Sequence, residues 1–206
     1  VNLSISVKKV RDWLWLFPSE KGSSLLSSWF LSLDNAPILI DCPKVTEEVI
    51  NDLKELSGGI CPKVVLTNRD AHHDASILNR KLGWPLIVQE QEAYLLPHVD
   101  NLMTFSEELT LSSGARTLWT PGPTPGSCVL HVPPPWNVLF CGRLLTPCSN
   151  DQISPIRTRS TFHWTMYQES LLKLRNWLPR EQFPLLASGQ KLHLLSDEKL
   201  LPWIAW

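Results

Sequence analysis

Between residues 27 and 82 the apolar pattern switches from a period of two to a period of 3.6 and back, and this switching most restricts the folds open to the chain. The stretch Ser-Trp-Phe-Leu-Ser-Leu at 28–33, a turn at Asp34-Asn35-Ala36-Pro37 and the run Ile38-Leu39-Ile40 predict a hairpin. After Pro43 the residues Val49, Ile50, Leu53 and Leu56 take up helical spacing, with Thr46-Glu47-Glu48 at the start and Gly58-Gly59 at the close. The run at 63–67 then reads as a buried strand, followed by a polar loop at 68–74 and a short helix carrying Ala75, Leu78 and Leu82. Strands that alternate with helices in this way favour a mixed α/β sheet.

The rest of the chain continues the alternation. Residues 85–88 predict a short strand, 90–96 a short helix, and Leu109, Leu111 and Thr117-Leu118-Trp119 more strand. A tight loop, Pro121-Gly122-Pro123-Thr124-Pro125-Gly126-Ser127, precedes two strands at 128–132 and 138–141 that turn at Pro133-Pro134-Pro135. Residues 162–178 place Tyr167, Leu171, Leu174 and Leu178 on one helical face, and 183–187 is the last strand candidate. The tail beyond Ser188 is weakly patterned. With 206 residues and 43% hydrophobic content the chain suits one domain spanning 1–206, burying about 70% of its unfolded surface. Its 17 prolines fall where elements should end, so they punctuate an ordered fold, and its 10 tryptophans are scattered, which favours packing over a stacking platform for bases.

Composition excludes some partners. The net charge is −1 and no Lys/Arg run occurs, so neither nucleic acid nor an anionic membrane surface is expected as a partner. No apolar stretch reaches the roughly 18–20 residues that cross a bilayer, and a soluble protein is expected. The chain opens on Val1 rather than Met, which suggests that an upstream segment is missing. Cys42, Cys61, Cys128, Cys141 and Cys148 form no Cys-x-x-Cys pair. They are expected to be reduced, buried thiols in a cytoplasmic compartment.

Four segments carry a resemblance. They are Ile40-Asp41-Cys42-Pro43, Thr67-Asn68-Arg69-Asp70-Ala71-His72-His73, the loop Pro121 to Ser127, and Phe140-Cys141-Gly142-Arg143. In order and spacing the chain resembles the metallo-β-lactamase superfamily over nearly its whole length. The resemblance implies a four-layer αββα sandwich of mixed sheets, α/β in class, and a hydrolase-like ancestry.

The departures fall on the family's metal ligands. Its loop Thr-His-x-His-x-Asp-His becomes Thr67 to His73, so the two leading histidines are Asn68 and Asp70, the Asp is His72, and only the last ligand is kept, as His73. The loop Pro-Gly-His-Thr-Pro-Gly-Ser keeps its pattern except that Pro123 stands for the histidine. The metal-bridging carboxylate of Phe-x-Gly-Asp is Arg143. For the final histidine the best match is Ser188-Gly189, and His193 lies too late.

Such sites gather imidazoles and carboxylates around one or two divalent ions, so that bound water loses a proton near neutral pH. Proline has no donor for a metal. A fixed guanidinium opposes one: unit charges about 4 Å apart repel by roughly 4 kcal/mol at an effective dielectric of 20, and a dication doubles this.

Asp70, His72 and His73 remain a candidate remnant site for one metal, zinc or another divalent ion, although no cofactor is the leading expectation. The alternative is that the histidines flank the helix starting near Asp74, with Asp70 and Asp74 placed favourably at its N-terminus. Asp41 is expected to brace its loop through hydrogen bonds. Arg143 is expected to neutralise Asp70 or Asp41, or to bind an anion. His98, His131 and His163 show no metal spacing, and Ser127 lies outside any Gly-x-Ser-x-Gly elbow.

The expected vestigial cleft therefore comprises Asp41, Asn68, Asp70, His72, His73, Pro123 and Arg143. Its leading function is binding of a small anionic ligand or a protein partner, with silent or altered catalysis. The alternative is an ester, thioester or phosphoester hydrolase with one non-standard metal. A purely structural role would be favoured by an exposed patch at Trp203 and Trp206.

Overall fold

The computed structural model describes residues 7–19, 26–149, 151–195 and 199–205. The first sheet has seven strands in chain order: β1 (Lys8–Arg11), β2 (Leu14–Phe17), β3 (Ser28–Leu31), β4 (Ile38–Ile40), β5 (Lys63–Val65), β6 (Leu86–Gln89) and β7 (Leu102–Phe105). Pairing is antiparallel from β1 to β4 and parallel from β4 to β7. The change falls where the chain crosses over through α1 (Glu47–Ser57), and α2 (Ala75–Leu82) makes the next crossover. Both helices start and stop where their sequence says. Thr46 Oγ1 accepts from the Val49 amide at 3.2 Å, and Gly58 closes α1 at φ 57°.

The second sheet has the order β14-β11-β10-β9-β8, built from β8 (Glu108–Thr110), β9 (Arg116–Trp119), β10 (Cys128–Val132), β11 (Val138–Gly142) and β14 (Leu185–Ser188). Its pairs are antiparallel except β11 with β14, which run parallel because α3 (Trp164–Trp177) lies between them in the chain. A small hairpin, β12 (Thr146–Ser149) with β13 (Gln152–Ser154), sits between β11 and α3 in the chain.

The inner strands of the first sheet, β3 to β6, are largely apolar on both faces because both are covered. Trp29, Leu31, Ile38, Ile40, Val65 and Ile87 share one buried cluster with Leu118, Leu130 and Val132 of the second sheet and with Tyr167, Leu174 and Leu178 beyond it. Phe30, Leu39, Val64, Leu66 and Leu86 turn the other way, onto Val49 and Leu53 of α1 and Ala75 and Leu78 of α2. The layers run helix, sheet, sheet, helix. Truncating a side chain such as Leu53 in either interior costs about 2–5 kcal/mol.

Several elements differ from the sequence reading. Residues 90–95 form a 3-10 segment, held at its start by the Gln89 side chain accepting from the Gln91 amide at 2.7 Å. Strands β1, β2, β7, β12 and β13 were not expected: β1 is Lys-Lys-Val-Arg, a charged and exposed edge, the composition that protects a sheet edge from further pairing. The tail is more ordered than its pattern suggests, since Leu201 pairs with Leu186 and Trp203 stacks on Phe183 at 5.0 Å. Trp203 is half-buried, and Trp206 lies outside the described residues. All five cysteines are free, but Cys61 and Cys148 are exposed, a correction to the expectation of burial: each sits in a loop or short edge hairpin with no layer above it. Among the described residues no helix is long and apolar enough to cross a membrane.

Candidate functional site

Five segments meet where strands of the two sheets end: Asp41 after β4, residues 67–73 after β5, the Pro/Gly loop before β10, Gly142-Arg143 at the end of β11, and Gly189 after β14. The floor is Asp41. Its backbone takes φ 60°, a conformation that Asp tolerates better than most side chains. Its carboxylate is fully buried and accepts from the Thr67 amide at 2.7 Å and the Thr67 hydroxyl at 2.8 Å. Burial pushes the carboxyl up to about 7, against the bonds from Thr67 and helped by the negative charge of Asp70.

Glycine is required around this carboxylate. A Cβ on Gly142 would stand 2.4 Å from Thr67 Oγ1, and Gly142 already adopts φ 52°. The Gly189 amide donates to Gly142 O at 3.0 Å, the Cys128 amide to Thr67 O at 2.8 Å, and the Trp29 indole to Ser188 O at 3.0 Å. The bonds from Thr67 tie Asp41 to the start of the 67–73 loop.

Above the floor, Asn68 is turned to the backbone. Its Oδ1 accepts from the Asp70 amide at 3.0 Å, capping a 3-10 turn at Arg69–Ala71, and its Nδ2 donates to Thr67 Oγ1 at 3.1 Å. Asp70 pairs with the Arg143 guanidinium, whose other terminal nitrogen donates to Ser160 Oγ at 3.2 Å. Of the two carboxylates offered by the sequence, Arg143 therefore takes Asp70; Asp41 is enclosed by Thr67.

His72 is buried with both ring nitrogens unpartnered among the described residues, and burial lowers its pKa to about 4, so the ring is neutral. His73 is exposed, with Nε2 3.6 Å from Asp74 Oδ2. Asp74 precedes α2 without capping it through its side chain and instead accepts from the Val45 amide at 2.7 Å. Asp70, His72 and His73, though adjacent in sequence, do not converge. Among the described residues no group of three or more His, Cys, Asp or Glu side chains is arranged to hold a metal ion. The donor set, with a guanidinium already on Asp70, does not fit the paired metals that the sequence resemblance implies.

The Pro/Gly loop is held by packing. A Cβ on Gly122, at φ 136°, would lie 2.3 Å from Tyr167 Cα, and one on Gly126 would lie 2.6 Å from Glu92 Cγ. Glu92 Oε1 accepts from the Gly126 amide at 3.0 Å, while burial raises its carboxyl. Ser127 Oγ accepts from the Thr124 amide at 2.9 Å, so the hydroxyl is spent inside the loop. Pro123 O and Gly122 O accept from the Phe162 and His163 amides at 3.2 and 3.1 Å, joining the loop to the start of α3. Of the remaining histidines, His98 is exposed, His131 bonds Asn137 at 3.1 Å, and His163 caps α3 by accepting from the Met166 amide at 3.2 Å.

Beside Arg143 opens a small cleft of about 40 Å³, lined by Pro123, Arg143, Thr146, Thr158, Thr161 and Lys191 among others. Lys191, at φ 50°, and the threonines are absent from the sequence reading. Lys191 gives no signal in a weakly patterned tail. The run Arg157-Thr158-Arg159-Ser160-Thr161 does give one, because cations and hydroxyls alternate there. Tyr167 fixes the far wall: its hydroxyl donates to Leu144 O at 2.7 Å and lies 3.0 Å from Arg143 O, and burial raises its pKa to about 12.

No family model matches the chain, and no curated protein does. Solved structures do. A metallo-β-lactamase from Pontibacter korlensis superposes with a TM-score of 0.68 at 16% identity, over 90% of this chain and 91% of that one. The DIM-1 metallo-β-lactamase gives 0.67 at 16%, over 94% of each chain. An N-acyl homoserine lactone hydrolase, solved with N-hexanoyl-L-homoserine at its catalytic metal centre, gives 0.60 at 18%, over 80% of each. The chain has the metallo-β-lactamase fold: an αββα sandwich of two mixed sheets, as its motifs imply.

Proposed function

We propose that the protein uses this fold as a binding cleft for a small anion, without the paired-metal hydrolysis that its motifs would otherwise imply. The observation that carries the reading is the Arg143–Asp70 ion pair beside the cleft. A permanent cation stands at the position of the bridging carboxylate and engages a carboxylate at a ligand position, so charge balance is reached without a metal. Catalysis is then silent or altered. A protein partner contributing an acidic side chain would use the same cleft. Five free thiols suit a reducing, cytoplasmic setting.

A second reading is favoured by one observation, the two unpartnered nitrogens of His72. A buried imidazole without partners is also what a ligand lacking its ion would present. In this reading one divalent ion, held by His72 with Asp70 or His73, would serve ester, thioester or phosphoester hydrolysis.

Elemental analysis of protein purified without chelator or affinity tag separates the two. The anion-cleft reading expects far less than one metal per chain, with uptake appearing in Arg143→Asp. About one metal per chain, lost in His73→Ala, would overturn it.

A further inference from the structure

We infer that the cleft is a site for a tetrahedral phosphate group, held between Arg143 and Lys191, an inference that rests on the anion-cleft reading. Two cations face the space from different chain segments, the end of β11 and the turn after β14. Asp70 offsets one of them. Lys191 is exposed, and no acceptor among the described residues is bonded to its ammonium. The local charge of the cleft is therefore positive although the chain as a whole carries −1.

The lining groups come from four separate chain segments. Arg143 lies beside Asp70, Lys191 in the turn after β14, Thr158 and Thr161 in the segment before α3, and Thr146, whose hydroxyl donates to Gln190 Oε1 at 3.4 Å, in β12. A planar carboxylate is satisfied by the fork of one arginine, whereas a phosphate presents acceptors in every direction and uses hydroxyl donors as well. The segment from 157 to 161 is already organised: the Thr158 amide donates to Thr161 Oγ1 at 2.8 Å, and the Thr158 and Ser160 hydroxyls are 3.0 Å apart. Ser160 in turn accepts from Arg143, so hydroxyls and guanidinium form one chain of donors beside the space. Lys191 holds a left-handed backbone at φ 50°, which a lysine adopts only at some cost, and this fixes where its side chain leaves the turn.

The test is isothermal titration of the full chain at low ionic strength with inorganic phosphate, glycerol phosphate and acetate. Variants are Lys191→Asn, which removes the charge while tolerating the backbone conformation, Thr158→Ala, and Lys63→Gln as a control. Lys63 begins β5, at the end of that strand away from the cleft. We expect phosphate to bind the parent and Lys191→Asn to weaken it about tenfold or more. Thr158→Ala should weaken it about threefold, and Lys63→Gln should leave it unchanged. Tighter binding of glycerol phosphate than of inorganic phosphate identifies an ester as the ligand; equal binding identifies free phosphate.

Phosphate binding that ignores both Lys191→Asn and Thr158→Ala overturns the site. Binding of acetate but not phosphate overturns the phosphate assignment and leaves the anion-cleft reading standing. Binding of no anion overturns both. If Lys191→Asn does not fold, Thr158→Ala against Lys63→Gln decides alone.

Discussion

At the floor of the cleft Asp41, Thr67, Gly142 and Gly189 press on one another, joined by hydrogen bonds of 2.7–3.0 Å. At the rim Arg143, Thr158 and Lys191 stand in or near solvent, and among the described residues no acceptor is bonded to the Lys191 ammonium. The residues that match the fold's motifs most closely are those of the floor and the Pro/Gly loop, where a side chain would collide with backbone or with Thr67. Of the residues that depart, Asp70 and Arg143 lie at the rim, whereas Asn68, His72 and Pro123 are buried. Under the anion-cleft proposal, backbone packing and metal ligation are separable demands on the same loops.

Breaking the packed side should have the largest effect. Gly122→Ala drives a methyl group into the backbone of α3, and we expect a loss of more than about 4 kcal/mol, or failure to fold. Urea denaturation would read this, and a normal midpoint would show that the loop is held less tightly than its geometry implies.

His72 sits between the two regimes, interior like the floor but unbonded. His72→Leu should stabilise the protein at pH 7 by about 1–3 kcal/mol, because two buried nitrogens without partners are removed. Its folded pKa, about 4, lies below the unfolded value of 6.5. The neutral ring therefore stabilises the fold fully above pH 6.5, and that contribution is lost as the pH falls through 4. The parent should lose up to about 3 kcal/mol over this window, and His72→Leu should lose correspondingly less. Denaturation midpoints across pH would test the sign. A destabilised His72→Leu at pH 7 would mean that the imidazole holds something.

The rim should respond least in stability and most in binding. Asp70→Asn removes the partner of Arg143 at a site where the carboxylate side chain is 32% exposed. It should cost less than about 1 kcal/mol and tighten phosphate about threefold by leaving the guanidinium unopposed. A larger loss by thermal melting would place Asp70 with the floor.

The sequence made the frame legible because its signals are local. Thr46 and Gly58 bound α1, the paired prolines and glycines mark the loop before β10, and the switch of period separates strand from helix. It also offered Arg143 as the partner of a nearby carboxylate. It could not choose between Asp41 and Asp70 as partner, because that choice depends on Thr67 closing over Asp41 across 26 positions. Lys191 escaped for a similar reason: a single lysine in a turn acquires meaning only when β14 is laid beside β11. The charged edge β1 was hidden because it has no buried face to pattern it.

The bond from the Trp29 indole to Ser188 O spans 159 positions. The first sheet is complete once residue 105 has been made, but its inner face stays bare until the second sheet follows. At about 5–20 residues per second, that interval during synthesis is on the order of ten seconds. Throughout it a nascent chain displays Trp29, Leu31 and Ile40 to its surroundings. The cleft, closed by the turn after β14, therefore forms only once β14 has joined the second sheet.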